Sequence, residues 1–582
     1  MTTPRHSRLF ARLSAGIFGA LLIFPVTGAD QPKPQPTPAR SLGPVVRSVD
    51  VTVTNLDVIV TDSKGVHVTG LKKEDFEVVE DGLQQAVTNF YAVDGGRVTF
   101  VNDEPVPPPA ALVAGAPAEP APAPIPTPKT RIVIFIDNLH LTPFNRNRIL
   151  KNLEVWVKDA VKGDVEAMIV TWDHSLKIRK KFTNDGRDLV DVLRQLEEQS
   201  ALGVNTVSER RDLLQAIDDA QSSDQAVGKA RSFALAQKND LEFTIDAMKT
   251  TMNQLSGLDG RKLLLHVSEG LPQSPGAELW VYIQERFRTS GTVSSNQFEF
   301  DKTAGFIGIV QAANAAGVTI YAFDASGLSV DSSITAENRT NKQRIDTFLE
   351  RGNLQSMLSL MSEETGGKAI LNKNDIALSL KEVENDYTSY YSLGYRSLRS
   401  GSDRPHKVDV KLKKKGLTVR ARRSYLEKSP ETRVAEAVNS ALFFSRDDNP
   451  LGVALEVGQP VPADRQNYVV PIRIRVPYSR ITMLPEGPKV RGRLVFYFVV
   501  LDSQGKQSDL AQQAAAVELD ATAFGKMTKA DFQYDVKLLM IPGGQKLSLA
   551  VRDDVTHATS YIQKSIFVSA LPPSEKPVPA PK

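Results

Sequence analysis

The 582-residue chain contains no cysteine. That absence removes disulfides, thiol catalysis, thiolate metal sites and a lipid-modified N-terminal cysteine together, so the folded parts have to be held by their cores. Long apolar runs are scarce too. The longest, Leu13–Val26, falls short of the roughly 20 residues that a membrane span needs. It follows Arg5, Arg8 and Arg12 and is followed by Thr27-Gly28-Ala29, the order of a secretory signal peptide over 1–29. A secreted or periplasmic protein is expected, without a membrane span after cleavage; an uncleaved anchor is the alternative. Excess charge is the next thing missing. The signal segment holds three of the 71 basic residues and none of the 68 acidic ones, which leaves 68 against 68 in the mature chain. This balance argues against a general nucleic-acid or anionic-membrane binder. There is no Gly-x-x-x-x-Gly-Lys phosphate loop, His-Glu-x-x-His zinc helix or Gly-x-Ser-x-Gly nucleophile elbow, and the seven histidines are scattered without ligand spacing.

What is present is organised around Ile132-Val133-Ile134-Phe135-Ile136, followed by Asp137-Asn138-Leu139-His140. Five apolar residues in a row, mostly β-branched, read as a strand buried on both faces of a parallel sheet. Asp137 then stands at the carboxyl end, where open α/β sheets bind ligands. The plainer reading makes it the cap of the following turn. Beyond it come helical spacing over Pro143–Val161, an apolar run Val165–Trp172, an edge-like alternation Leu176–Phe182, and a Gly- and Pro-poor stretch Ser208–Leu255 that reads as one or two long helices. Further strands at Lys262–Val267 and Val318–Phe323 alternate with helices, so a mainly parallel sheet of about six strands wrapped by helices is predicted.

The flanks differ in period. A Pro-rich spacer (30–44) precedes an alternating region (45–94) that reads as a small β-sandwich, and a Pro/Ala-rich linker (95–130) follows it. The helical domain is assigned to 131–428, with an alternating β-hairpin extension from Tyr390 onward. Its basic residues fit the solvated, protected edge of a hairpin better than a binding patch. A second β-sandwich is expected over 429–570 and a disordered tail over 571–582.

Several phrases occur together: Val58-Ile59-Val60-Thr61-Asp62, Leu71-Lys72-Lys73-Glu74-Asp75-Phe76, Glu80-Asp81-Gly82, Ile134-Phe135-Ile136-Asp137, Gly317-Val318-Thr319-Ile320-Tyr321, Thr365-Gly366-Gly367 and Tyr391-Ser392-Leu393-Gly394-Tyr395. In this set and order the chain resembles von Willebrand factor A-related proteins of the acidobacterial type, over about Val45 to Tyr425. The resemblance implies a von Willebrand A-type, Rossmann-like central domain, here between N- and C-terminal β-sandwiches, and a function in binding another protein. It also implies a metal-ion-dependent adhesion site, in which Asp-x-Ser-x-Ser, a Thr and an acid from later loops hold Mg²⁺. Here the motif reads Asp137-Asn138-Leu139-His140-Leu141, with leucine at both serine positions. The remaining oxygen donors would be Asp137, Thr206 and Glu269, a degenerate site for which no cofactor is expected and Mg²⁺ is the ion to test. A haloacid-dehalogenase reading needs a second Asp at Leu139 and fails. The enzymatic alternative is a hydrolase using Asp137 and His140.

Overall fold

The computed structural model describes residues 24–25, 53–101, 104–105, 128–289, 298–328, 347–397, 402–446, 448–464, 466–527 and 529–569. Apart from Phe24 and Pro25, the signal segment over 1–29 lies outside them, as do the spacer over 30–44, most of the linker over 95–130 and the tail over 571–582. The chain forms two compact units, Pro44–Glu436 and one that holds Ala437–Lys582.

The first unit begins with Val53–Thr61 (β1), Phe76–Glu80 (β2), Val87–Asp94 (β3) and Arg97–Val101 (β4). Strand β4 falls where proline composition alone suggests linker; its partner is β3. The helical region follows with Thr130–Asp137 (β5), Pro143–Ala160 (α1), Val165–Trp172 (β6), Leu176–Thr183 (β7), Gly186–Glu197 (α2), Gly203–Asp218 (α3), Ser223–Leu255 (α4) and Arg261–Ser268 (β8). It continues through Ala277–Phe287 (α5), Thr303–Ala316 (α6), Val318–Asp324 (β9), Thr347–Glu364 (α7), Lys368–Ile370 (β10) and Ala377–Thr388 (α8). Then come Tyr390–Arg396 (β11), Arg404–Leu412 (β12), Thr418–Arg420 (β13) and Ser424–Glu427 (β14).

The central sheet runs β7-β6-β5-β8-β9-β10. Every neighbour is parallel except the edge strand β7, which pairs antiparallel with β6. Numbered within the sheet, this is the doubly wound order 3-2-1-4-5-6, whose direction of growth reverses between the first and fourth strands, here β5 and β8. Ile132, Ile134 and Ile136 of β5 and Leu263, Leu265 and Val267 of β8 are fully buried in one core with Leu150, Leu153 and Val157 of α1. Strands covered on both faces leave no polar period, which is why they read as continuous apolar runs. The long helical stretch divides into α3 and α4, and Ser222 caps α4 by accepting from the Gln225 N–H at 3.3 Å.

The β regions on either side of the helices join each other. One sheet runs β13-β1-β11-β3-β4, and a second contains β14-β12-β2. Tyr391 lies opposite Val58 on one side and Ala92 on the other. Leu56, Val58, Phe76, Phe90, Leu393 and Tyr425, drawn from both sheets, share one core. In the second unit, Tyr468–Pro477 pairs with Asp531–Met540, and Lys489–Leu501 pairs with Ala511–Asp520 and Gly543–Asp553. These antiparallel sheets also close on one core, with Ile472, Phe496, Leu538 and Leu549 wholly buried.

Candidate functional site

Asp137, the last residue of β5, is fully buried at the point where the sheet order reverses. One carboxylate oxygen, Oδ2, lies 2.8 Å from His140 Nδ1 and accepts from Ser268 Oγ at 3.2 Å; Oδ1 is 3.4 Å from the His140 N–H. His266 Nε2, on β8, is 3.9 Å from Oδ2. Burial disfavours the charged carboxylate, but the charge of His140 and the hydrogen bonds from it outweigh that and hold the Asp137 pKa below its ordinary value. Burial likewise pulls down on His140, and Asp137 and Asp240 outweigh it, so its pKa is raised. For His266 burial wins over the pull of Asp137 and pushes the pKa down to about 4, so the ring stays neutral. Among the described residues, neither of its ring nitrogens has a hydrogen-bond partner.

The loop after Asp137 is tied down on several sides. Asn138 donates from Nδ2 to the Ser200 carbonyl at 2.9 Å and accepts from Arg146 Nη1 at 2.9 Å; Arg146, itself fully buried, also donates to the Gln199 carbonyl at 2.7 Å. Leu139 and Leu141 point into the core, and Leu141 is wholly buried. The Gly203 N–H donates to the Leu141 carbonyl at 3.0 Å, an approach that only glycine allows, since a Cβ there would stand 2.6 Å from that oxygen.

Above this floor is a cleft of about 420 Å³ lined by His140, Thr142, Thr206, Arg210, Glu269 and Glu278, with other residues of α3, α4 and α7. Thr206 and Glu269, two of the donors implied by the adhesion motif, line it together. Asp137, the third, does not reach it: His140 presents to the cleft and Asp137 holds His140. Glu269 Oε1 accepts from the Thr142 N–H at 2.6 Å and from Thr142 Oγ1 at 2.5 Å. Arg210 lies 2.9 Å from Glu350 and 3.5 Å from Glu278, and burial raises the Glu278 pKa against the pull of Arg210.

These residues do not fit a divalent ion of the adhesion type. Asp137 has both oxygens engaged by His140 and Ser268, one Glu269 oxygen, Oε1, is taken by Thr142, and leucine side chains buried in the core stand at the two serine positions. The charge facing the cleft above Asp137 is imidazole. Sequence reasoning missed His266, Ser268 and Arg210. The first two are brought in by strand register, which the sequence does not show: His266 pairs with Phe135 and Val267 with Ile136, so Ser268 comes level with Asp137. Arg210, on a helix far along the chain, carries no signal either.

No family model and no curated protein matches the sequence. Among solved structures, the chain is similar to the vWF domain of the type V pili tip protein Mfa5 from Porphyromonas gingivalis, at 12% identity, over 45% of this chain and 95% of that one, with a TM-score of 0.23. It is similar to an aerotolerance-related membrane protein from Bacteroides fragilis at 9% identity, over 44% and 98%, with a TM-score of 0.21. It is also similar to a von Willebrand factor type A protein from Catenulispora acidiphila at 7% identity, over 76% and 66%, with a TM-score of 0.19. The likeness is to von Willebrand A-type proteins. At these identities and TM-scores it adds no weight to what the sheet order and the motifs already carry.

Proposed function

We propose that the chain is an exported, non-enzymatic binding or scaffold protein. Its von Willebrand A-type domain, flanked by β-sandwiches, would engage another protein through the cleft at the carboxyl end of the sheet without requiring a divalent ion there. The observation that carries this reading is the Asp137–His140 contact: an imidazole of raised pKa stands over the buried carboxylate where an adhesion site would have its ion. Export rests on the pattern of residues 1–29, and N-terminal sequencing of the mature protein should find cleavage near Ala29; an intact Met1 would favour an anchor instead.

The binding claim is tested by placing a photo-crosslinking residue at Val207, exposed beside Thr206 on α3, and irradiating in envelope extract with EDTA or with millimolar Mg²⁺. One captured species in both conditions, lost when Thr206→Trp fills the cleft, is the expected result. Capture only with Mg²⁺ would sink the ion-independent reading. A hydrolase reading has one observation in its favour, the same Asp137–His140 pair. Against it, Ser268 Oγ is buried and directed at Asp137 and the Gly270 carbonyl, so it is not offered to the cleft as a nucleophile.

A further inference from the structure

A different group of side chains has the geometry of a metal site. Glu80 closes β2, Asp81 follows in the turn, and His406 stands on the neighbouring strand β12; one potential ligand atom from each lies within 4.8 Å of the others. His406 Nδ1 is 2.8 Å from Asp81 Oδ2 and 3.5 Å from Glu80 Oε1. Two ligands held about 2 Å from a tetrahedral ion are separated by roughly 3.3 Å. The two observed separations bracket that value.

The frame around these three atoms is rigid. The Asp81 N–H donates to the Lys407 carbonyl at 3.0 Å, and the Lys407 N–H donates to Asp81 Oδ1 at 3.0 Å, so the turn is locked to β12 on both sides of the carboxylate. Asp81 holds a positive φ of 47° in the two-residue Asp81-Gly82 hairpin turn between Glu80 and Leu83. On the imidazole, Nε2 faces Ser402 Oγ at 3.4 Å. Nδ1 hydrogen-bonds Asp81 Oδ2 as the donor; release of that proton would leave its lone pair for an ion, with Nε2–H directed at Ser402 Oγ, the orientation usual for ligating histidines.

A second observation concerns Glu80. Its side chain is 4% exposed, and both hydroxyl donors that reach it, Ser397 Oγ and Tyr425 Oη, each at 2.9 Å, go to Oε1. Oε2 is buried with no hydrogen-bond partner among the described residues. A buried carboxylate with one unpartnered oxygen, beside an imidazole nitrogen and a second carboxylate, is an arrangement that a bound cation would stabilise. Asp81 is exposed and gives the ion a way in from solvent.

We propose that Glu80, Asp81 and His406 bind one divalent transition-metal ion of the Zn²⁺ class. An imidazole nitrogen among oxygen donors favours such ions over Mg²⁺ or Ca²⁺, which prefer oxygen alone. The site ties β2 to β12, strands far apart in sequence, and is separate from the sheet-end cleft. A role in fastening the β region follows.

The test is calorimetric titration of Zn²⁺ into EDTA-stripped, full-length protein, with Co²⁺ absorption as a second readout. One equivalent should bind, with visible bands of low-coordinate Co²⁺ and a rise in Tm. His406→Gln and Glu80→Gln should weaken binding at least tenfold and remove the Tm rise, while His140→Gln leaves both unchanged. Should the buried variants fail to fold, Asp81→Asn, at an exposed position, decides the matter and should also weaken binding about tenfold. Failure of stripped wild-type protein to take up Zn²⁺, undiminished binding in Asp81→Asn, or loss on His140→Gln would each overturn the proposal.

Discussion

At the carboxyl end of β5, three histidine and acid side chains respond to pH in opposite directions. His266 has an ordinary value of 6.5 and a folded value of about 4. As pH falls through that window the unfolded chain takes up a proton that the folded one refuses, so stability is lost on acidification, by up to about 3 kcal/mol. His140, with its pKa raised, works the other way: its contribution is complete below 6.5 and is lost as pH rises through the folded value. His266 also lies 5.8 Å from the Phe135 ring. His266→Phe should therefore keep the packing and reduce the difference in urea-unfolding free energy between pH 4.5 and pH 7; an unchanged difference would show that other groups set the acid limb. Asp137 holds the turn, as a cap would, but it also supports His140 and Ser268 from a fully buried position. Asp137→Ala should accordingly cost about 3–5 kcal/mol, the scale of breaking a buried pair, rather than the roughly 1 kcal/mol of a lost cap. Equilibrium denaturation distinguishes the two. None of this was legible before the fold was known, because the sequence shows Asp137 beside His140 but gives no register between β5 and β8.

Elements were easier to read than contacts, for a physical reason. Strands such as β5 and β8 are sandwiched between helix layers and must be apolar throughout, so Ile132–Ile136 and Leu263–Leu265 declare themselves. The helices around them follow from spacing and caps. What could not be read was how the start of α3 is drawn against the loop at Leu141, since that depends on a glycine whose neighbour lies some 60 residues upstream. Gly203→Ala is expected to push this helix end away from Leu141, at a cost of about 1–3 kcal/mol. It should also carry Thr206 out of line with Glu269. Cleft occupancy, followed by crosslinking from Val207, should fall more than the melting temperature alone would suggest; equal losses in both would mean that the loop is merely a connector.

Across the first unit, the β strands that precede and follow the helical region belong to the same sheets, while composition suggests separate blocks. Pattern reveals period but not partners, and strand partners far apart in sequence leave no local trace. A junction on Asp386 shows how the parts are coupled. Its carboxylate accepts from Arg420 through both oxygens at 2.7 and 2.8 Å and from Tyr321 Oη at 2.9 Å, and it lies 2.9 Å from His67 Nε2. A fragment of 128–389 would keep Asp386 and Tyr321 but lose Arg420 and His67, and it would also strip the partners from the β region. It should melt well below the full chain or fail to stay soluble. A fragment equal in stability to the whole would show that the helical domain does not need the strands around it.

The same closure has a consequence in time. The Leu71 N–H and the Tyr391 hydroxyl that it meets are 320 residues apart. A ribosome adding roughly 5–20 residues per second takes between about a quarter of a minute and a minute to cover that distance. Throughout that delay the apolar strand Val58-Ile59-Val60 has been made but lacks both of its strand partners, β11 and β13. The nascent chain is thus longest at risk at its beginning, and a holding chaperone would be needed most before the last strands of this unit have been synthesised.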